Sequence, residues 1–584
     1  MAERFVAFTS LGRRAVPNQW DVIAFVIIFA TITALVQGSR GMALPLPAAD
    51  ASPVTLDYAF LPYYALRTTL RMFAAIIASL IFTFLYATLA AKSRRAELVM
   101  VPLLDVLQSV PVLGFLSFTV TFFLGLFPGS TLGAECAAIF AIFTSQAWNM
   151  AFSFYQSLRT VPRDLEEVSR GFQLSSWQRF WKLETPFAMP GLIWNMMMSM
   201  SGGWFFVVAS EAITVGDTTI KLPGIGSYLA VAIDERRIDC VLAAVAAVLV
   251  VILLYDQLLF RPIVAWASKF KVELSASQIQ ETSWVLDVLK RTRALRVLAA
   301  GPGWLGSAIA GLRLGGPASR ARSVHSARAS RVIDVVFYAA IATVAVYGAY
   351  ALFAYLTTPP KPDAAALDGS DVWEAVYLTF FTLLRVLTLM VLATLFWAPI
   401  AIWIGLRPRV AEAVQPAAQF LAAFPANVVF PIAVVGILRF HLNPDIWLSF
   451  LIIFGTQWYI VFNVIAGASA FPNDLREAAA NFHIGGWDWW RQVILPGVFP
   501  YYVTGALTAS GGSWNAAIVA EYVKWGDDKV SAHGIGAYIA KATEGGDYPR
   551  IVLGVAVMSI FVILFNRVLW RPLFGYAERR LRLS

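Results

Sequence analysis

Asp474–Pro500 reads DLREAAANFHIGGWDWWRQVILPGVFP, and 310 positions earlier Asp164–Pro190 reads DLEEVSRGFQLSSWQRFWKLETPFAMP. Aligned at that offset without a gap, Trp148–Ala230 and Trp458–Ala540 share twenty identities, whereas average composition predicts matches on the order of 6% of positions. The matched residues include Trp148 with Trp458, Pro162 with Pro472, Glu167 with Glu477, Trp204 with Trp514, Glu211 with Glu521, and Gly224 and Gly226 with Gly534 and Gly536. The chain is therefore an internal duplication. In the second copy, Asp474 is the expected N-cap of a helix, with Glu477 three residues on in capping-box position. Ala478, Ala479 and Ala480 favour helix and permit close approach by another surface, and Gly485 and Gly486 are expected to end it.

Outward from this stretch, apolar runs recur. They lie near 20–36, 64–91, 100–127, 134–156, 190–213 and 240–260, and again near 332–357, 374–405, 413–438, 445–467, 499–522 and 551–572. A span needs roughly 20 apolar residues, and a chain of 584 residues with 59% apolar and 14% charged residues and a mean hydropathy of +0.67 leaves no room for a large soluble domain. The expected fold is all-α, a polytopic membrane protein with about twelve transmembrane helices in two homologous six-helix halves. The expected divisions are an N-terminal tail at 1–18, halves at 19–262 and 332–575, a linker at 263–331 and a C-terminal tail at 576–584. The first run resembles a signal peptide followed by Pro47–Asp50, but it is long enough to remain as a span.

Basic residues give the sidedness. Arg13 and Arg14, then Lys92, Arg94 and Arg95, then the loop at 157–187, then Arg261–Arg331, and finally Arg579 and Arg580 all fall on one side if spans alternate. Positive segments beside spans mark the cytoplasmic side, so both termini are expected inside. The Arg261–Arg331 stretch holds twelve Lys and Arg against Glu273, Glu281 and Asp287, a net of 12 − 3 = +9 that equals the excess of the whole chain. The charge is thus topology, and nucleic acid is not an expected partner. Two cysteines, Cys136 and Cys240, and four scattered histidines exclude a disulfide framework and a metal site.

With Glu-Ala-Ala at 477–479, a turn, and Ile494-Leu495-Pro496, the second copy resembles the EAA loop of ABC importer permeases, the binding-protein-dependent transport family. The first copy, with Glu167, Val168, Ser169 and Pro186, is similar but worn. The resemblance implies a membrane permease without catalytic residues or a cofactor of its own. It also implies two coupling helices, near Glu167–Ser176 and Glu477–Gly486, that dock on two separate ATPase subunits carrying ATP and Mg. A periplasmic or lipid-anchored binding protein would deliver a small solute. Ala209–Tyr228 and Val519–Tyr538 look most like the nitrate, sulfonate, taurine and bicarbonate group, whose permeases are single six-span chains. Both copies depart from the family where a Gly is usual six residues after the Glu: Gln173 and His483 stand there. The turn is then expected to differ, or to shift to Gly485.

No P-loop sequence occurs, and the GxGxxG at Gly301, Gly303 and Gly306 has no preceding strand, so it reads as a turn. Glu211 and Glu521 are charged side chains at span ends, read either as gate residues held by neighbouring spans or as interfacial residues facing water. Candidate pathway residues at intermediate depth are Gln146, Asn149, Asn195 and Ser199, with Gln457, Asn463, Ser510, Ser513 and Asn515 in the second half. Each reads more readily as an interhelical hydrogen bond or core packing than as a substrate contact. Trp204 and Trp514 are candidates for a constriction. A linker with Trp284, Leu286 and Leu289 among basic residues is either an amphipathic surface segment or a tether. Two parallel six-span halves also fit a major-facilitator carrier, which does not predict paired EAA loops.

Overall fold

The computed structural model describes residues 54–215, 218–270, 283–292, 306–314, 327–357 and 367–581, with isolated positions between 22 and 42. Because no water satisfies backbone groups in hydrocarbon, apolar runs must close their own hydrogen bonds, and they do so as helices. The first half contains α1 (Leu61–Lys92), α2 (Thr131–Arg159), α3 (Arg163–Gly171), α4 (Thr185–Glu211), α5 (Ile225–Asp234) and α6 (Ile238–Tyr255). The second repeats them as α7 (Gly369–Gly405), α8 (Pro444–Ser469), α9 (Asn473–Asn481), α10 (Leu495–Ala520), α11 (Ile535–Glu544) and α12 (Tyr548–Phe565). An antiparallel hairpin follows the fourth helix of each set, β1 (Ala212–Val215) with β2 (Thr218–Lys221) and β3 (Tyr522–Trp525) with β4 (Asp528–Ser531). We call the end carrying α3 and α9 the elbow face and the opposite end the hairpin face.

Within each half, the second helix packs between the first and the fourth. The core of the first half joins Met72, Ile142, Phe154, Met200, Val207 and Tyr228, and that of the second joins Val386, Ile452, Ile460, Val503 and Ala509. Eight helices among the described residues are long and apolar enough to span a membrane. The first expected run, 20–36, lies mostly outside the described residues. The helix Ala327–Thr357 lies at the edge, its described face exposed along most of its length.

Two expected runs, 100–127 and 413–438, are each broken in the middle. Helix Arg94–Ser109 ends at Val110, which is extended (φ −75°, ψ 126°) before Pro111, and helix Pro408–Ala423 ends at Phe424, extended (φ −71°, ψ 125°) before Pro425. A residue preceding proline is driven out of the α region by the proline ring, so hydropathy sees one run where the backbone makes two short helices. A 3₁₀ turn follows each break, Val112–Phe115 and Ala426–Val428. Non-helical backbone at membrane depth is tolerated only inside protein, and both breaks sit on the seam between the halves. Asn515 Oδ1 accepts from the Val112 amide at 2.9 Å, and Asn427 Nδ2 donates to the Phe205 carbonyl at 3.0 Å. Asn515→Leu should therefore cost about 1–3 kcal/mol by orphaning the Val112 N–H, read as a lower melting temperature. An unchanged melt would show that the seam does not depend on this bond.

Candidate functional site

The elbow helices α3 and α9 begin after Pro162 and Pro472, whose fixed φ suits a helix start, and neither has a side-chain cap. Asp474 is thus inside the first turn rather than the N-cap, and Glu477 has no capping box to complete. Each elbow ends in the same way. Leu174 N–H bonds Ser169 C=O and Gln173 N–H bonds Arg170 C=O, at 3.2 and 2.9 Å; Ile484 bonds Ala479 and His483 bonds Ala480, at 2.9 and 3.1 Å. This is a Schellman end, which needs a left-handed residue at its penultimate position. Gln173 (φ 51°) and His483 (φ 55°) take that conformation themselves. The turn neither differs from a glycine turn nor shifts to Gly485, which is extended at φ −134°. A hydrogen bond between His483 Nδ1 and the Asn481 carbonyl, 3.2 Å, holds the second one.

A left-handed non-glycine residue costs roughly 1–2 kcal/mol. His483→Gly and Gln173→Gly should therefore tighten the elbow ends, and amide hydrogen exchange at Ile484 and Leu174 should slow; equal or faster exchange would contradict the strain argument.

Each elbow buries its middle small residue, Ser169 and Ala479, each 4% exposed, and presents the rest outward. Glu167, Val168, Glu477 and the pair Phe172 and Phe482 are exposed, and Ala478 is half-buried. The phenylalanines are 76% and 79% exposed on polar helices, an apolar contact surface at the same place in both copies.

At the opposite face, each half builds a clasp around a buried carboxylate. Glu211, fully buried, accepts from Arg71 Nη1 at 2.6 Å, Thr68 Oγ1 at 2.7 Å and the Gly226 amide at 2.6 Å. Arg71 and Arg67 also bind Glu135, each with contacts of 2.6 Å. In the second half Glu521 accepts from Arg385, from Thr382 Oγ1 at 2.8 Å and from the Gly536 amide at 2.8 Å, while Arg385 reaches Asp445 at 3.4 Å. The first glycine of each GIG explains itself here: a Cβ on Gly224 or Gly534 would fall 2.3–2.4 Å from the carboxyl carbon of Glu211 or Glu521. Both glutamates are thus held by neighbouring helices and do not face water. Their partners Thr68 and Arg71, matched by Thr382 and Arg385, recur as T-x-x-R at an offset of 314. A comparison at 310 passes over them, although an arginine inside an apolar run was the available signal.

The sequence model of the binding-protein-dependent transport system inner membrane component matches residues 83–260 and again 390–582, and the two matches enclose both elbows and both clasp glutamates. The chain belongs to this family. The bicarbonate transport system permease protein CmpB of Synechococcus elongatus is 29% identical over 212 residues, covering 36% of this chain and 72% of its own length. The nitrate import permease protein NrtB of Leptolyngbya laminosa is 26% identical over 185 residues, 32% of this chain and 63% of its own. The taurine transport system permease protein TauC of Escherichia coli is 25% identical over 187 residues, 32% of this chain and 64% of its own. Two matched permease domains in one chain are the expected duplication, and the major-facilitator alternative is not favoured.

In this permease the mid-depth polar residues pair mostly within their own half. Gln146 is buried and donates to Met200 Sδ at 3.3 Å; Asn149 accepts from Gln108 at 2.8 Å; Asn195 donates to Ser153 at 2.8 Å. Gln457 accepts from Trp397, Asn463 donates to the Tyr459 carbonyl, and Ser513 pairs with Thr456 at 3.0 Å. Ser199 and Ser510 are buried, and their hydroxyls have no partner among the described residues. Trp204 and Trp514 do not meet across the seam as a constriction: Trp204 stands edge-on to Tyr255, and Trp514 joins a separate core with Ile518 and Ile551. They are large enough to fill their own half's core, and that burial wins. Among the described residues, Asn515 alone of these candidates bonds across the seam. A cavity of about 50 Å³ lies on the seam among Met200, Ser201, Trp204, Tyr255 and Phe462, beside the paired Asp256 and Arg261.

On the hairpin face of the permease, Glu544 accepts from Tyr522, Lys529 and Lys524. Partial burial pushes its carboxyl up, but the hydrogen bonds from Lys529, Tyr522 and Lys524 outweigh this and hold it down at about 2. A carboxyl whose folded value lies below its ordinary 4.5 contributes stability fully above that value and loses it as pH falls toward about 2. The melting temperature should therefore fall between pH 4.5 and 2 more steeply than that of Glu544→Gln. Parallel curves would contradict the assignment.

Proposed function

We propose that this chain supplies both halves of the translocation pathway of an ATP-driven importer of small anions of the bicarbonate, nitrate or sulfonate type. Its elbows α3 and α9 dock on two ATPase subunits, which bind ATP and Mg and perform all hydrolysis. A periplasmic or lipid-anchored binding protein docks on the hairpin face. The observation that carries this reading is the pairing of the elbows. Two short helices at a 310-residue offset end in the same left-handed turn, bury a small residue at the same position and expose a phenylalanine at the same position, at one end of the molecule. A short rigid helix tied to two long helices can turn closure of the ATPases into movement of one half against the other, provided each access state binds its partners with different affinity.

The basic segments support placing the elbow face and both termini in the cytoplasm of a bacterium, with the helices in the inner membrane. Glu167, Val168, Ser169, Gln173, Glu477, Ala478, Ala479, His483 and Gly485 are the coupling residues in this reading. The buried Ser169 and Ala479 set the elbow's seat, and the exposed positions make the contact. The anion class rests on the relatives named for bicarbonate, nitrate and taurine. With Arg261 already paired to Asp256 beside the seam cavity, selection among anions is assigned to the binding protein. The test is a melting-temperature screen of the cognate binding protein against bicarbonate, nitrate, taurine and alkyl sulfonates, followed by uptake in vesicles holding the whole complex. Stabilisation and uptake by one of these anions supports the class; a response only to cationic or neutral solutes overturns it.

A further inference from the structure

The linker is not a bare tether where residues 306–314 are concerned. Residues 306–311 form one short helical turn, and the last carbonyls of any helix have no partner within it. Here two of those carbonyls, and that of Leu314 just beyond the turn, are met by the first half. Trp177 Nε1 donates to the Ile309 carbonyl at 2.7 Å, Gln178 Nε2 donates to the Gly311 carbonyl at 2.7 Å, and the Trp177 amide donates to the Leu314 carbonyl at 3.3 Å. Trp177 and Gln178 belong to the turn Ser176–Arg179 directly after elbow α3. That turn is tied back to the elbow by Arg179 on Glu166 at 2.6 Å, and Arg179 also reaches Glu184, which Lys92 of α1 holds. Linker, turn, elbow and first long helix form one continuous chain of polar contacts.

Among the described residues, the second half has no such chain. At the matching positions stand Trp487, Asp488, Trp489, Arg476 and Ile494. Asp488 carries no donor, so it repels a carbonyl where Gln178 binds one. Trp489 and Ile494 replace Arg179 and Glu184, and Trp487 is 72% exposed where Trp177 is partly covered. The side-chain chemistry thus selects the first elbow and rejects the second.

We propose that linker residues 306–314 are a clamp that stays on the first elbow through the transport cycle and makes the two elbows unequal: the first braced against its half, the second free to follow its ATPase. The inequality rests on the coupling reading of the elbows, but the clamp itself does not.

The test uses the full chain with Cys136→Ala and Cys240→Ala, carrying Gln178→Cys and Gly311→Cys. A Cβ at Gly311 meets nothing within 4 Å, so the second cysteine fits. A short bis-maleimide is applied to the chain alone and to the complex with its ATPases, with N-ethylmaleimide as the uncrosslinked control. The clamp predicts efficient cross-linking in both and no loss of transport relative to the control. Failure to cross-link overturns it, and so does cross-linking that abolishes transport, because the segment would then have to leave. If the coupling reading alone is wrong, the cross-link still forms in the free chain while neither Glu167→Lys nor Glu477→Lys alters ATPase binding.

Discussion

Glu211→Ala should lower the stability of the permease by about 3–5 kcal/mol, because it leaves the Arg71 guanidinium buried with half of its compensation gone. Arg71 and Glu211 are both 0% exposed, and Thr68 and the Gly226 amide would lose their acceptor in the same step. Glu211→Gln keeps the shape and the acceptor oxygen but not the charge, so it should fall between the parent and the alanine variant. The second clasp is more open, with Arg385 at 10% and Asp445 at 38% exposure, so Glu521→Ala should cost less than Glu211→Ala. Melting of the four purified proteins in detergent checks the order. An alanine variant at 211 that melts like the parent would show that the buried charges contribute nothing to holding the hairpin end of α4.

Glu477→Lys should separate ATP hydrolysis from transport while leaving the fold intact. Glu477 is exposed on α9, and exposed substitutions rarely change stability by more than about 0.5 kcal/mol. If Glu477 is a contact worth at least about 2 kcal/mol, its reversal weakens ATPase binding roughly 30-fold or more. Ala479→Trp acts through a different route, since Ala479 is 4% exposed beneath the elbow and a bulky side chain must lift the helix from its seat. The first variant should therefore lose ATPase in a pull-down at an unchanged melting temperature, whereas the second should lose both. A Glu477→Lys protein that retains its ATPase and transports normally would remove Glu477 from the coupling surface.

The clearest sequence signals were those that repeat in register. Apolar runs gave helices because a bilayer leaves the backbone no other choice, and Pro162, Pro472 and the EAA-like stretch placed both elbows. Residues whose role depends on partners far along the chain were harder. Glu211 reads as a charge at a helix end until Arg71, 140 residues earlier, is found against it. The breaks at Pro111 and Pro425 hide inside apolar runs because hydropathy averages over them, whereas the clash that makes them is local. Gln173 and His483 carry no side-chain signature of a left-handed turn; only the Schellman bonds around them demand it. Asn515 has the composition of a pathway residue, yet its place opposite a broken helix makes it a seam residue.

The composition of the assembled complex tests the central claim most directly. Native mass spectrometry of the permease purified with its ATPases should give one copy of this chain with two ATPase subunits, because both elbows reside in a single polypeptide. Two copies of the chain per two ATPases, with one elbow of each left vacant, would contradict the account that the fused halves form one pathway.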